Sequence, residues 1–259
     1  MNLIIGRKPV LEALNSDEEI TQVYILFGQE AGIINAIRVA AKKRGIKVNQ
    51  IPAEKFRQLV KDKNAQGVAA VKSSQKFYTL QEIIQSSKNK NIKALSSGES
   101  ASGGLGEALP LLLILDSIQD THNVGAILRT AECSGVDGII ITKHNSAPIN
   151  ETVVKTSAGA SELVKICQVN NLANAIDELK KEGYWIVGSY LGNSKPYTEI
   201  DYKMPLALIV GNEEKGIRKL TAEKCDYLVH IPMKGKIQSL NVSVATGILL
   251  FEILRQRML

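Results

Sequence analysis

Apolar residues fall into two patterned stretches along the chain, separated by a polar one. In the first stretch, "GRKPVLEALNS" has Pro9 where a first helical turn tolerates it and Val10, Leu11 and Leu14 on one side, which predicts a helix. "TQVYILFG" predicts a strand stopped by glycine. "EAGIINAIRVAAKKRG" predicts an amphipathic helix with Ile33, Ile34, Ile37 and Ala41 inside and a basic last turn before Gly45. A strand "IKVNQI", a helix "AEKFRQLVK" and a strand "GVAAVKS" complete a small α/β unit over residues 1–75. Residues 76–109 are expected to link it to the rest, because 86–108 are rich in Ser, Gly, Asn and Lys and poor in large apolar side chains.

From Pro110 the pattern returns as Ile/Leu/Val runs alternating with helical periodicity. "LLLILDS", "DGIIIT", "VKICQV", "YWIVGSYL", "LALIVGNE" and "YLVHIPM" read as strands. "NVGAILRTAECSG", "NETVVKTSAGASEL", "NLANAIDELKKEG" and the C-terminal stretch read as helices. Continuous apolar strands between helices predict an α/β domain over 110–259, with a mostly parallel sheet covered by helices on both faces.

Charge adds an asymmetry. Residues 1–75 carry 12 Lys and Arg against 7 Asp and Glu, whereas residues 110–259 carry 16 of each. A basic first unit beside a neutral second one suits a polyanionic partner for the first, although the same surplus also serves plain solubility. No apolar run reaches the ~20 residues a bilayer needs, and "MNLIIGRKPV" lacks the pattern of a signal peptide. No membrane partner is expected. Cys133, Cys167 and Cys225 are far apart, with no CxxC, so neither a disulfide frame nor a metal site is expected and a cytoplasmic location is.

Parallel sheets collect ligands at the carboxyl ends of their strands. Three polar clusters fall there: "IQDTHNVGAILRTA", "GNEEKG" and "KGKIQSLNVS". Asn123 is expected to cap a helix, with Gly125 allowing close backbone approach. Arg129 lies among Ile127, Leu128 and Ala131, where a structural pairing with Asp116 or Glu213 competes with a functional role. "GNEEKG" lacks the Gly-Lys-Ser/Thr ending of a phosphate loop, and Gly103, Gly104 and Gly106 follow no strand. Ser239 is expected to cap the last helix. Capping explains one polar residue there, whereas Ser239, Asn241 and Ser243 together suit a polar ligand at the helix start or local backbone bonds.

Together, "NVGAILRTA", "IVGNEEKGI" and "IPMKGKIQSLNVSVATGILLFE" resemble, in order and spacing, the three motifs of the SpoU (TrmH-type) branch of the SPOUT RNA methyltransferases. "GRKPVLEAL" with "QGVAAV" is similar to the substrate-binding domain of its ribosomal-RNA members, a small α/β RNA-binding domain like ribosomal proteins L30e and L7Ae. One departure is local: Thr121 stands where many members have proline. The resemblance implies S-adenosylmethionine as cofactor, methylation of a ribose 2′-hydroxyl, a deep C-terminal trefoil knot and a homodimer. The implied substrate is structured RNA, a guanosine of 23S rRNA first, with tRNA methylation, an antibiotic-resistance rRNA methylation or a non-enzymatic dimeric RNA-binding protein as alternatives. Carried onto matching positions, Gly211, Asn212, Ile231, Met233 and Leu240 would hold the cofactor, and Asn123, Arg129, Glu213, Ser239 and Asn241 would form the reacting site. A guanidinium is a poor base, so Arg129 is expected to bind a phosphate and lower the hydroxyl pKa, with Glu213 and Asn241 orienting the partners and His122 a lesser candidate base.

Overall fold

The computed structural model describes residues 2–16, 18, 20–30, 32–60, 65–72, 76–97, 109–212, 215–236 and 239–258. The chain divides into two compact units, 1–75 and 76–259.

In the first unit the order is β1 (Asn2–Ile5), α1 (Arg7–Asn15), β2 (Ile20–Leu26), α2 (Gly32–Lys43), β3 (Lys47–Ile51), α3 (Ala53–Leu59) and β4 (Val68–Lys72). They form a four-stranded sheet, β1-β4-β2-β3, in which β2 and β3 are parallel and β4 runs antiparallel to both its neighbours. The helical periodicity reads correctly here: α1 buries Val10, Ala13 and Leu14, and α2 buries Ile34, Ile37 and Ala41. Strand β1 lies in "NLII", ahead of the first predicted element, and gains its partner only through the distant β4.

The second unit runs β5 (Phe77–Tyr78), α4 (Leu80–Ser97), β6 (Leu111–Asp116), α5 (Thr121–Cys133), β7 (Gly138–Thr142), α6 (Glu151–Thr156), α7 (Ala160–Leu163), β8 (Ile166–Val169) and α8 (Leu172–Lys181). It continues with β9 (Trp185–Ser189), β10 (Lys195–Pro196), β11 (Leu206–Gly211), α9 (Lys219–Glu223), β12 (Tyr227–His230) and α10 (Val242–Met258). Eight strands pair in the order β10-β12-β9-β11-β6-β7-β8-β5, every pair parallel. The central strands β6 and β11 are buried along their whole length, as continuous apolar runs require when both faces are covered. Leu111, Leu113 and Leu115 pack with Val124, Ile127 and Leu128 of α5 and Leu249, Leu250 and Ile253 of α10 on one face. Leu112 and Ile114 pack with Ile83 and Ile84 of α4 and with Ile176 and Leu179 of α8 on the other.

Two expectations are corrected. The linker expected over 76–109 is largely structured: Phe77 and Tyr78 pair with Ile166 and Cys167, and α4 extends to Ser97. Its seam is narrow, so its composition looked like a linker. Ile83 and Ile84 are fully buried, Ser87 shares a 2.5 Å hydrogen bond with Tyr184, and Lys88 pairs with Glu182 at 2.6 Å. A Cβ on Gly138 would lie 2.5 Å from Ile83, so glycine there lets α4 settle on the sheet. The remainder of that stretch, 98–108, lies outside the described residues. The single helix expected in "NETVVKTSAGASEL" is two helices, broken at Ala158 (φ 52°) and Gly159 (φ 88°).

Two polar anchors hold the sheet to its loops. Arg257, in the last turn of α10, donates to the carbonyls of Leu109, Pro110, Tyr202 and Met204, and burial pulls its guanidinium down to about 10. It remains charged at neutral pH, and the four carbonyls stand in for water. Asp116 closes β6 with no exposure at all. Its carboxylate accepts from Arg218 Nε at 2.7 Å, from the Arg218 backbone N–H at 3.0 Å and from Ser117 Oγ at 3.0 Å.

The Arg218 guanidinium is half exposed, and without it Asp116 would keep the Arg218 backbone N–H and Ser117 Oγ as donors, so losing the side chain costs about 1–3 kcal/mol rather than the full cost of an unpaired buried charge. Arg218→Met is therefore expected to destabilise the chain by about that amount in urea unfolding, and Asp116→Asn in the Arg218→Met background is expected to restore part of the loss.

Candidate active site

The three sequence clusters are the loops that leave β6, β11 and β12, and all open at the carboxyl edge of the parallel sheet. Gly211 at the end of β11 is in register with Asp116 at the end of β6, so the first two loops start side by side. The second loop is tight: Asn212 and Gly216 exchange backbone hydrogen bonds at 3.1 and 2.8 Å. A Cβ on Gly211 would collide with the backbone of Gly216 and Ile217, so glycine there is set first by the turn itself. Asn212 Nδ2 donates to the Ser117 carbonyl at 3.3 Å, tying the second loop to the first.

The third loop is tied to the first by another asparagine. Asn241 Nδ2 donates to Asn123 Oδ1 at 3.0 Å. Asn241 is also the cap of α10: its Oδ1 accepts from the Ser243 N–H at 2.9 Å and from Ser243 Oγ at 2.5 Å. These bonds orient the amide, because the oxygen must face the helix and the nitrogen must face Asn123. The cap is thus Asn241 and not Ser239, which is exposed one residue before Leu240. Ser243 supplies both donors to the Asn241 oxygen, its N–H and its hydroxyl, and Asn241 both caps and reaches across.

Asn123 is likewise not the cap of its helix. Asp120 caps α5, accepting from the His122 N–H at 2.7 Å, and Asn123 sits in the first turn. Thr121 is the first helical residue, where a proline would lose no needed hydrogen bond. Gly125 is explained by packing: a Cβ there would lie 2.6 Å from Thr156 Cβ, so α5 and α6 touch through it. Arg129 is exposed on α5, and among the described residues its side chain makes no hydrogen bond or ion pair. Asp116, one of its two expected structural partners, is taken by Arg218. Glu213, the other, lies outside the described residues.

Of the expected cofactor-binding positions, Ile231 follows β12 and rests partly buried on the core, and Met233 and Leu240 are half-buried in the third loop. Lys215, Lys234 and Lys236 are exposed on the second and third loops and give them a cationic rim. Sequence reading missed Arg218. Its signal was Asp116 at the end of an all-apolar strand, since a buried carboxylate requires a donor from elsewhere.

Other reactive groups are set aside by position. Burial pushes Cys167 up to about 11 and Cys225 up to about 12, so both stay protonated. Among the described residues no group of three or more His, Cys, Asp and Glu could hold a metal ion, and no helix is long and apolar enough to cross a membrane.

Comparison with known proteins matches this layout. Residues 110–251 match the SpoU rRNA Methylase family, and residues 3–78 match the RNA 2′-O ribose methyltransferase substrate binding domain. A relative from Staphylococcus haemolyticus, named as a TrmH family tRNA/rRNA methyltransferase, is 38% identical over 255 residues, covering 98% of this chain and 96% of its own. Among solved structures, the AdoMet-bound rRNA methyltransferase from Sinorhizobium meliloti is 25% identical with a TM-score of 0.58, covering 98% of this chain and 86% of that one. The A. aeolicus TrmH/SpoU tRNA modifying enzyme is 33% identical with a TM-score of 0.54, covering 69% and 84%. The helix-flanked parallel sheet, its three stitched loops and these likenesses lead to one conclusion: the chain belongs to the SpoU (TrmH-type) family of RNA methyltransferases.

Proposed function

We propose that this protein transfers a methyl group from S-adenosylmethionine to a ribose 2′-hydroxyl of structured RNA, with a guanosine of 23S rRNA as the first candidate. The observation that carries the reading is the pair of asparagine bridges, Asn212 to Ser117 and Asn241 to Asn123, which draw three loops from distant parts of the chain to one edge of the sheet. The family is one of RNA methyltransferases, and the Sinorhizobium meliloti structure is AdoMet-bound. Its likeness spans both units of this chain, which favours rRNA. The likeness to the A. aeolicus tRNA modifying enzyme covers only 69% of the chain and supports tRNA as the second reading.

S-adenosylmethionine, when bound, supplies an electrophilic methyl on a sulfonium, and its transfer neutralises charge. The main-chain groups of Gly211, Asn212, Ile231, Met233 and Leu240 would hold it. The chain's own task is to place a neutral hydroxyl in line and remove its proton. Alignment of this kind is worth about 7–11 kcal/mol. Asn241, fixed by its cap bonds, and Asn123, fixed by Asn241, would position the ribose together with Ser239 and Glu213. Arg129 would hold the neighbouring phosphate with its planar fork and favour the alkoxide electrostatically.

That role calls for a second copy of the chain. Arg129 projects exposed from α5, which packs against α10, and α10 leaves Val244, Phe251 and Met258 about half exposed at seven-residue spacing. Such a stripe on one helix face is what a homodimer would cover, carrying Arg129 toward the partner's loops. The return of Arg257 to the carbonyls beside Leu109 and Tyr202 supports the threaded C-terminus that the resemblance implies. A cytoplasmic location, where rRNA and tRNA are found, is part of the same proposal.

Asn241→Ser keeps a good helix cap but removes the amide that reaches Asn123. It is expected to leave the unfolding midpoint nearly unchanged and to lower the methyl-transfer rate about 100-fold, the cost of a misplacement of about 1 Å. A wild-type rate would remove Asn241 from the site. Mass spectrometry of rRNA and tRNA digests from cells with and without the gene is expected to show one 2′-O-methyl nucleotide, in 23S rRNA, lost with the gene. Identical digests would overturn the function.

A further inference from the structure

The first unit leaves one large aromatic side chain in water. Phe27 is 57% exposed, directly after β2, whereas Phe56 of the same unit is buried. Its backbone is well fixed: the Phe27 N–H donates to the Ile51 carbonyl at 3.0 Å and the Leu26 N–H to the Gly67 carbonyl at 2.8 Å. The next residue, Gly28, takes φ 79° and turns the chain away. The ring therefore projects from a rigid strand end rather than from a loose loop, and it forgoes burial that its neighbours obtain.

Cationic groups gather at the same end of the sheet. The Gly6 N–H donates to the Val68 carbonyl at 3.0 Å, which brings the start of α1 beside the start of β4. Arg7 Nε donates to the Gln66 carbonyl at 3.1 Å, and Arg7 Nη2 donates to Gln29 Oε1, two residues beyond Phe27. The Arg7 N–H donates to Gln66 Oε1 at 3.3 Å. Gly67 is constrained by the same cluster, since a Cβ there would sit 3.1 Å from Gln29 Nε2. Arg7 is thus held by two other chain segments, at Gln66 and Gln29, and among the described residues its Nη1 has no partner. Lys8 next to it is exposed. The unit as a whole carries 12 basic residues against 7 acidic ones, so an anionic partner is favoured.

An exposed aromatic on a fixed backbone and a fixed guanidinium at one end of a sheet are the combination that takes an unstacked base and its flanking phosphate. We propose that this end of the first unit binds single-stranded RNA, with Phe27 stacking one unpaired base and Arg7 and Lys8 contacting the adjoining phosphates. The proposal rests on the RNA-modifying reading above and narrows it: the substrate presents a loop, bulge or end to the first unit, because bases within an A-form duplex offer no free face.

The test uses the full chain and two fluorescently labelled probes, a short oligoadenylate and an RNA duplex of equal length. Phe27→Ala and Phe27→Leu are each expected to weaken oligoadenylate binding about 5- to 150-fold, the range for losing one stacked base. Phe27→Trp is expected to keep the wild-type affinity, and duplex affinity is expected to change less than about twofold in all three. Equal oligoadenylate affinity for wild type and Phe27→Leu would show that no base stacks there. So would a wild-type chain that fails to prefer the single strand, which would leave the exposed ring to a protein partner. Methyl transfer from labelled S-adenosylmethionine into total cellular RNA is measured in parallel. No transfer by the wild type would refute the enzyme reading while the oligoadenylate series still decides the role of Phe27.

Discussion

A fully buried carboxylate at the end of the central strand sets the geometry on which the second unit depends. A buried carboxylate needs hydrogen-bond donors, and Asp116 obtains them from Arg218, more than a hundred residues later, and from its neighbour Ser117. Because Asp116 is in register with Gly211, the bond to Arg218 closes the loop that leaves β11 down onto the loop that leaves β6. The Gly211 contact with Gly216 and Ile217 makes that loop too tight to open by side-chain motion alone. Stability and loop placement are thus one interaction seen from two sides.

On that base, small polar residues complete the arrangement by serving two purposes each. Asn212 closes its own turn through its side-chain oxygen, which accepts from the Lys215 N–H at 3.3 Å, and reaches Ser117 through its nitrogen. Asn241 caps α10 with its oxygen and reaches Asn123 with its nitrogen. A primary amide can do this because it carries an acceptor and two donors on separate atoms of one rigid plane, whereas a carboxylate accepts only and a serine hydroxyl offers a single oxygen on a shorter stem. The most apolar helix of the chain therefore begins in polar residues for a physical reason. Its body is held by the core through Leu249, Leu250 and Ile253, and its start is held by hydrogen bonds to the loops it faces.

Much of this was legible in the chain itself. The fully buried strands "LLLIL" and "LALIV" announced a parallel sheet, and the position of three polar clusters after strands announced the edge where they meet. What sequence could not show was which of several neighbouring polar residues would cap and which would bridge. Asp120 and Asn241 took the caps expected of Asn123 and Ser239, because the helices begin three residues earlier and two residues later than those expectations placed them. The α4 helix was hidden by its composition: among its described side chains, 80–89, Ile83, Ile84 and Ser87 are the buried ones. The Asp116–Arg218 pair was hidden by distance, as long-range ion pairs leave no periodic trace.

The account stands on the three loops acting as one binding surface, and hydrogen exchange of the full chain with and without S-adenosylmethionine tests that most directly. Added cofactor is expected to slow exchange together in peptides covering 117–123, 211–217 and 231–241, with the first unit unchanged. Slowing confined to a single loop, or none at saturating cofactor, would contradict it.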